Sequence, residues 1–164
     1  MWRLQPGAVS RLSPPIGAAK GSDWLTVPLC GYVGQQMSET GKTILVVEDD
    51  RDVREIALTV LEEAGYRLLE AASGDEAYRL LLAHPDLRID ALFTDVVMPG
   101  RLDGIDLANA ARELRPGLRV LYTTGFASLV RDNREEDMQG PVLRKPYRPG
   151  ELRAAMHAVL ERVC

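Results

Sequence analysis

The chain has 164 residues, 46% hydrophobic and 27% charged, with a formal net charge of −4. This is enough for one domain with a sizeable core, and a second full domain is not expected. Residues 1–40 carry three cations (Arg3, Arg11, Lys20) against two carboxylates (Asp23, Glu39) and so hold +1 of that charge, leaving about −5 for the remainder. This argues against a nucleic-acid-binding surface.

Residues 1–40 contain Pro6, Pro14, Pro15, Pro28 and five glycines without hydrophobic periodicity, so they read as a mobile leader or linker. Met37 is a candidate start site. No apolar run approaches the roughly 18 residues of a membrane span, and the first segment does not read as a secretory signal. Cys30 and Cys164 lie far apart, which suggests neither a disulfide framework nor a metal cluster and fits a reducing compartment. A cytoplasmic location follows as the expectation.

From Thr43 onward apolar strands and amphipathic helices alternate. "TILVV" predicts a short buried strand. Val53, Ile56, Ala57, Val60, Leu61 and Ala64 then recur at helical offsets and predict one buried helix face over 52–64. Gly65 stops that helix and leads into "YRLLEA", a second strand. A second helix opens at Ser73 or Gly74 and runs to Ala83, closed by His84-Pro85. "DALFTD" is the third strand, followed by a helix over 103–114 that Arg115-Pro116-Gly117 ends. "RVLYTT" and "PVLR" supply the fourth and fifth strands, the fifth being the weakest by length. A last helix from Pro149 has Leu152, Ala155, Met156, Val159, Leu160 and Val163 on one stripe. Between strands four and five, "ASLVRDNREEDMQG" predicts a short or frayed helix with a thin apolar stripe.

Five apolar strands interleaved with helices predict an α/β fold, a mostly parallel sheet covered on both faces with right-handed crossovers. Ligands of such sheets bind at the carboxyl ends of the strands. There the sequence sets Glu48, Asp49 and Asp50 after strand one, Asp95 after strand three, Thr123 and Thr124 after strand four, and Lys145-Pro146 after strand five. Clustered carboxylates repel unless a positive group stands among them. Mg²⁺ suits one or two carboxylates plus water and phosphate oxygens, and lysine and threonine can both donate to a phosphoryl group.

"ILVVEDDRDVRE", "FTDVVMPGRLDGIDLA", "VLYTTGF" and "RKPY" together resemble the receiver domain of bacterial two-component response regulators. The third- and fourth-strand wording is similar to receivers of hybrid sensor kinases and their stand-alone relatives. The resemblance covers about residues 42–163. It implies a flavodoxin-like (βα)5 doubly wound fold with strand order 2-1-3-4-5, and a receiver domain over 42–164. It further implies that Asp95 is the phosphoacceptor in a Mg²⁺-dependent reaction. Asp49 would bind the ion directly, Glu48 through water, and the Val97 carbonyl would be the third protein ligand. The register Asp49 and Asp50 is weaker, because the "ILVV" run makes Glu48 the first residue past the strand. Thr124 would be the switch hydroxyl and Lys145 the phosphoryl-binding cation, with a cis bond to Pro146.

Other residues read more plainly. Asp50 and Asp52 suit a helix N-terminus, Asp103-Gly104 suits turn and helix-start chemistry, and Tyr147 suits packing. "TGKT" at 40–43 lacks the earlier glycine and the preceding strand that a phosphate-binding loop needs. His84 and His157 have no acidic or metal-ligand companion nearby in sequence, so a histidine kinase or histidine phosphotransfer protein is expected to supply the phosphoryl group.

The expected function is a stand-alone receiver, a signalling protein that catalyses its own phosphorylation and slow autodephosphorylation and acts on a downstream protein. A pseudo-receiver without phosphoryl turnover is the alternative, although acidic pair, acceptor and lysine are all present. An aspartyl-phosphate hydrolase of the haloacid dehalogenase type would want a second aspartate where Val97 stands. The family's aromatic residue three positions before the lysine is Val142 here. With the thin helix before strand five, this predicts a monomer that forms no stable dimer through that face.

Overall fold

The structure is a computed structural model that describes residues 41–125 and 137–161. Five parallel strands form one sheet: β1 (Thr43–Val47), β2 (Arg67–Ala71), β3 (Ala91–Asp95), β4 (Arg119–Thr124) and β5 (Val142–Arg144), in the order β2-β1-β3-β4-β5. Four helices are described: α1 (Arg51–Glu63), α2 (Gly74–Ala83), α3 (Gly104–Leu114) and α4 (Pro149–Glu161). The doubly wound fold and strand order are those the resemblance implies. The helix expected between β4 and β5 lies outside the described residues, as do Val163, Cys30, Cys164 and Phe126.

Side chains of a strand alternate between faces, and here the alternation divides the core in two. Leu45, Val47, Leu92, Val120 and Tyr122 meet α2 and α3 on one face. Ile44, Val46, Phe93 and Leu121 meet α1 and α4 on the other, with Ala57, Leu61, Leu152 and Met156. The three central strands β1, β3 and β4 are buried through most of their length, which is why they read as largely apolar runs. β5 is an edge strand of three residues with Val142 and Arg144 exposed.

Local chemistry explains the helix starts. Asp50 caps α1, its carboxylate accepting from Asp52 N and Val53 N. Ser73 caps α2 through Glu76 N, and Glu76 reaches back to accept from Ala72 N. Asp103 caps α3 by accepting from Ile105 N and Asp106 N. Each satisfies backbone donors left open by the first helical turn.

Two expectations need correction. Ile56 does not join the buried face of α1; it is 57% exposed, while Leu58 is buried instead. The stripe centres between Ala57 and Leu61, which leaves Ile56 about a third of a turn away from it. His157 does have an acidic companion: its Nε2 lies 3.3 Å from Glu161 Oε1, an exposed pair one turn apart on α4.

Candidate functional site

Strand parity assembles the site. Glu48 continues the alternation of Ile44 and Val46, and Asp95 that of Ala91 and Phe93, so both carboxylates project on the α1/α4 face at the carboxyl edge. Asp95 pairs in register with Thr123 of β4. Beyond β5, Lys145 follows Leu143 with the same parity, and its amide donates to Thr124 O at 2.8 Å. The bond from Lys145 to Pro146 is cis, as the resemblance implies.

The side chains then converge. Lys145 Nζ donates to Glu48 Oε2 at 2.7 Å and to Asp95 Oδ2 at 2.5 Å. Glu48 is 1% exposed and Asp95 8% exposed. Asp49, exposed to solvent, completes a carboxylate triad in which one oxygen from each of Glu48, Asp49 and Asp95 lies within 4.8 Å of the others. Burial pushes the Glu48 carboxyl up, with the Asp95 and Asp49 charges adding to the rise and Lys145 opposing it. Burial pulls the Lys145 ammonium down, but its bonds to Asp95 and Glu48 outweigh that and leave it raised. The ammonium is therefore held charged between two buried carboxyl groups.

Hydrogen bonds and close backbone contacts brace the frame around these groups. Arg54 donates to the Glu48 carbonyl at 2.6 Å and to Glu70 Oε2 at 3.2 Å, tying α1 to the end of β1 and to β2. Val96 N donates to Thr123 O at 2.8 Å and Gly104 N to Val96 O at 3.0 Å. A Cβ at Gly104 would overlap the Asp95 carbonyl oxygen, so α3 can start this close to the site only with glycine. Asp75 accepts from Arg101 N at 2.9 Å beside Gly100, whose φ of 131° is reserved for glycine. These bonds pin the loop that leaves Asp95.

Of the residues singled out in the sequence, Glu48, Asp49, Asp95 and Lys145 stand together. Val97 contributes its amide, which donates to Asp95 Oδ1 at 3.1 Å, and the residue is 54% exposed. Thr124 is fully buried, and its hydroxyl donates to Gly125 O at 3.4 Å. Asp50 acts as the α1 cap and stands outside the carboxylate triad. Tyr147 does pack, its ring edge-on to Phe93 at a centroid distance of 6.3 Å. Sequence reasoning passed over Arg54 and assigned Gly104 only a local role, because a long-range contact to a backbone carbonyl leaves no periodic signal. Strand register would have pointed to Thr123 as the neighbour of Asp95.

Three oxygen-donor carboxylates beside a single ammonium carry an excess of negative charge, a donor set that fits a hard divalent cation. Receiver domains hold Mg²⁺ in an acidic pocket of this kind.

Comparison with known proteins agrees with the geometry. The family model of the response regulator receiver domain matches residues 44–157. The response regulator receiver protein CpdR of Brucella abortus is 38% identical over 112 residues, 68% of this chain and 90% of CpdR. The sensor kinase CckA of the same organism is 31% identical over 121 residues, which are 73% of this chain but 13% of the kinase. Against other regulators that it matches, the chain spans about half their length. A crystal structure of a response regulator receiver domain protein from Clostridium thermocellum superposes with a TM-score of 0.65 at 27% identity, covering 74% of this chain and 95% of that one. With its acidic edge, central aspartate and bridging lysine, the chain belongs to the receiver domains of response regulators, the phosphoryl-accepting modules of two-component signalling.

Proposed function

We propose that the protein acts as a stand-alone receiver, with Asp95 taking a phosphoryl group from the histidine of a kinase or phosphotransfer protein. The observation that carries this reading is the lysine bridge: Lys145 Nζ bonds Asp95 Oδ2 and Glu48 Oε2 together, with Asp49 within reach. A buried carboxylate beside an ammonium is a nucleophile with a ready partner for incoming negative charge.

An Asp95 oxygen attacks phosphorus, the O–P bond forms, the N–P bond of the phosphohistidine breaks, and the imidazole leaves with the electron pair. Lys145 moves its donors onto the phosphoryl oxygens. Glu48, Asp49, Asp95 and the Val97 carbonyl are the residues that would hold Mg²⁺, which when bound neutralises charge on those oxygens. The acyl phosphate sets about two negative charges where Asp95 carried one. Thr124, whose carbonyl already accepts from Lys145 N, is the residue whose hydroxyl turns toward the new charge and moves the segment after β4.

The reading extends to the whole chain. Residues 1–40 serve as a leader to a receiver over 42–164. The protein works as a cytoplasmic monomer, without nucleic acid or membrane, and signals to a downstream protein by its switch or by phosphorelay. The acidic balance of residues 41–164 supports the absence of a nucleic-acid partner.

The test is intact-mass analysis after incubation with acetyl phosphate, or with a phosphorylated kinase, in the presence and absence of Mg²⁺. One phosphoryl group is expected only with Mg²⁺ and not in Asp95→Asn. A gain that survives Asp95→Asn would overturn the assignment.

A further inference from the structure

Two hydroxyls from segments next to the site, Thr123 Oγ1 and Tyr147 Oη, are buried without a hydrogen-bond partner among the described residues. Leaving such a group dry is unfavourable, and buried hydroxyls are nearly always bonded to protein or to an ordered water. Both lie on the face of the sheet that carries the phosphoacceptor. Thr123 stands opposite Asp95 in the β3–β4 register, and its parity follows Leu121 of the α1/α4 core.

Tyr147 comes from beyond the end of β5, and its ring meets Phe93 of β3 edge-on. Because β4 separates β5 from β3, that ring reaches Phe93 only by crossing the face of β4 near its carboxyl end, where Thr123 stands. Burial pushes the Tyr147 hydroxyl up to about 12, and Lys145, Glu48 and Asp95 all act on it. Tyr147 stands two residues past Lys145, whose ammonium holds Glu48 and Asp95.

We propose that Thr123 Oγ1 and Tyr147 Oη hold one buried water beneath Asp95, and that through this water the two residues position the phosphoacceptor carboxylate. A buried water needs two to four polar partners. Each hydroxyl can donate and accept, and the Asp95 carboxylate offers further lone pairs beyond those used by Lys145 and Val97 N. The arrangement has a use in the reaction. When Lys145 turns to the phosphoryl oxygens, Asp95 loses its strongest contact, and a bond from below keeps the attacking oxygen aimed. Thr123 and Tyr147 are thus positioning residues that touch neither phosphorus nor the metal ligands' coordination positions.

The role rests on Asp95 as the phosphoacceptor; the water does not, so the two are tested separately. Crystal structures of the full chain, wild type and Thr123→Val, at a resolution that shows ordered water, decide the first part. A water within hydrogen-bond distance of both hydroxyls in the wild type, absent in Thr123→Val, is expected; its absence from the wild type overturns the proposal. Rates of phosphorylation by acetyl phosphate with Mg²⁺ decide the second. Thr123→Val and Tyr147→Phe, which remove little beyond the hydroxyls, should each lower the rate on the order of threefold to tenfold, the worth of one hydrogen bond. The double variant should fall no further than the slower single one, because both act through one water. Thr123→Ser keeps the hydroxyl and should retain both water and rate, which guards against a variant that merely misfolds. Unchanged rates, or losses that multiply, would overturn the positioning role even with the water present. A wild type that accepts no phosphoryl group would instead strike at Asp95 itself.

Discussion

Lys145 Nζ lies 2.5 Å from Asp95 Oδ2, a bond between residues fifty positions apart that closes the carboxyl edge of the sheet. The same ammonium holds Glu48 at 2.7 Å, so a single cation serves two buried carboxyl groups. Replacing Lys145 with Met keeps the aliphatic stem and removes the charge. Breaking such a pair from one side leaves uncompensated buried charge, and a loss on the order of 3 kcal/mol is expected at neutral pH. Urea unfolding measures it. Because a divalent cation can take over the compensation, added Mg²⁺ should restore a larger share of stability in Lys145→Met than it adds to the wild type. Phosphorylation by acetyl phosphate should be lost in either case.

Metal binding should itself register as stability. A ligand that binds only the folded state adds about 2.7 kcal/mol at a hundred times its Kd. Mg²⁺ titration is therefore expected to raise the thermal midpoint, and chelation to reverse the rise. Asp49 is exposed and belongs to the carboxylate triad. Asp49→Asn should abolish most of the Mg²⁺ response while leaving metal-free stability within about 0.5 kcal/mol of the wild type, as for surface substitutions generally. A full Mg²⁺ response in Asp49→Asn would remove it from the ligand set.

The site was legible in the sequence to the degree that it obeys strand and helix periodicity. Glu48 and Asp95 close apolar runs and Lys145 follows the short fifth strand, and standing at the end of a strand of a parallel sheet is enough to bring them to one edge. Asp50 and Asp103 were legible as caps because capping depends on neighbours two and three residues away. Ile56 falls off the buried stripe because spacing alone has no sheet to orient the helix; the sheet turns α1 toward Leu58. Arg54 escaped notice since its partners are a backbone carbonyl and Glu70 sixteen residues on. Thr123 is legible as a strand-end hydroxyl and Tyr147 as a packing residue, but that both hydroxyls are buried beside the site is visible only once register and packing are known.

Gly104 offers a second probe of the frame. The neighbouring atoms that an added Cβ would meet are backbone atoms of Asp95 and Val96, which cannot move aside as a flexible side chain could. Gly104→Ala is therefore expected to destabilise by on the order of 1–3 kcal/mol, the range of overpacking. It should also slow phosphorylation, because relief of the clash displaces the acceptor. Urea unfolding and the acetyl phosphate rate together check this. A stable variant with normal rate would mean that the α3 start yields without moving Asp95.

Asp90 supplies a pH-dependent effect at the opposite edge of the sheet. It accepts from Thr43 N at 3.0 Å, from Arg88 at 3.0 Å and from Lys42 at 3.4 Å. Burial pushes its carboxyl up, but these partners outweigh burial and hold it below its ordinary 3.8. A carboxyl depressed by folding stabilises the native state at pH above its unfolded value, and that contribution is lost as pH falls through the folded value. Asp90→Asn should therefore cost on the order of 1–2 kcal/mol at pH 7, and the gap should narrow as pH falls below 3.8. Urea midpoints across that range read the effect. A gap that stays constant down to the lowest pH would rule out the ionic contribution.

The last expectation concerns association. β5 is an edge of three residues, with Val142 37% exposed and Arg144 exposed beside it. A short edge bearing a charge is poorly suited to pair with a second copy, and Val142 offers little of the area that an aromatic residue would bring to an interface. The protein is therefore expected to sediment as a monomer both before and after phosphorylation. Sedimentation velocity with Mg²⁺ and acetyl phosphate measures this directly. A phosphorylation-dependent dimer that disappears on Val142→Asp would show that the β5 face is an output surface after all, and that Val142 serves where an aromatic residue was thought necessary.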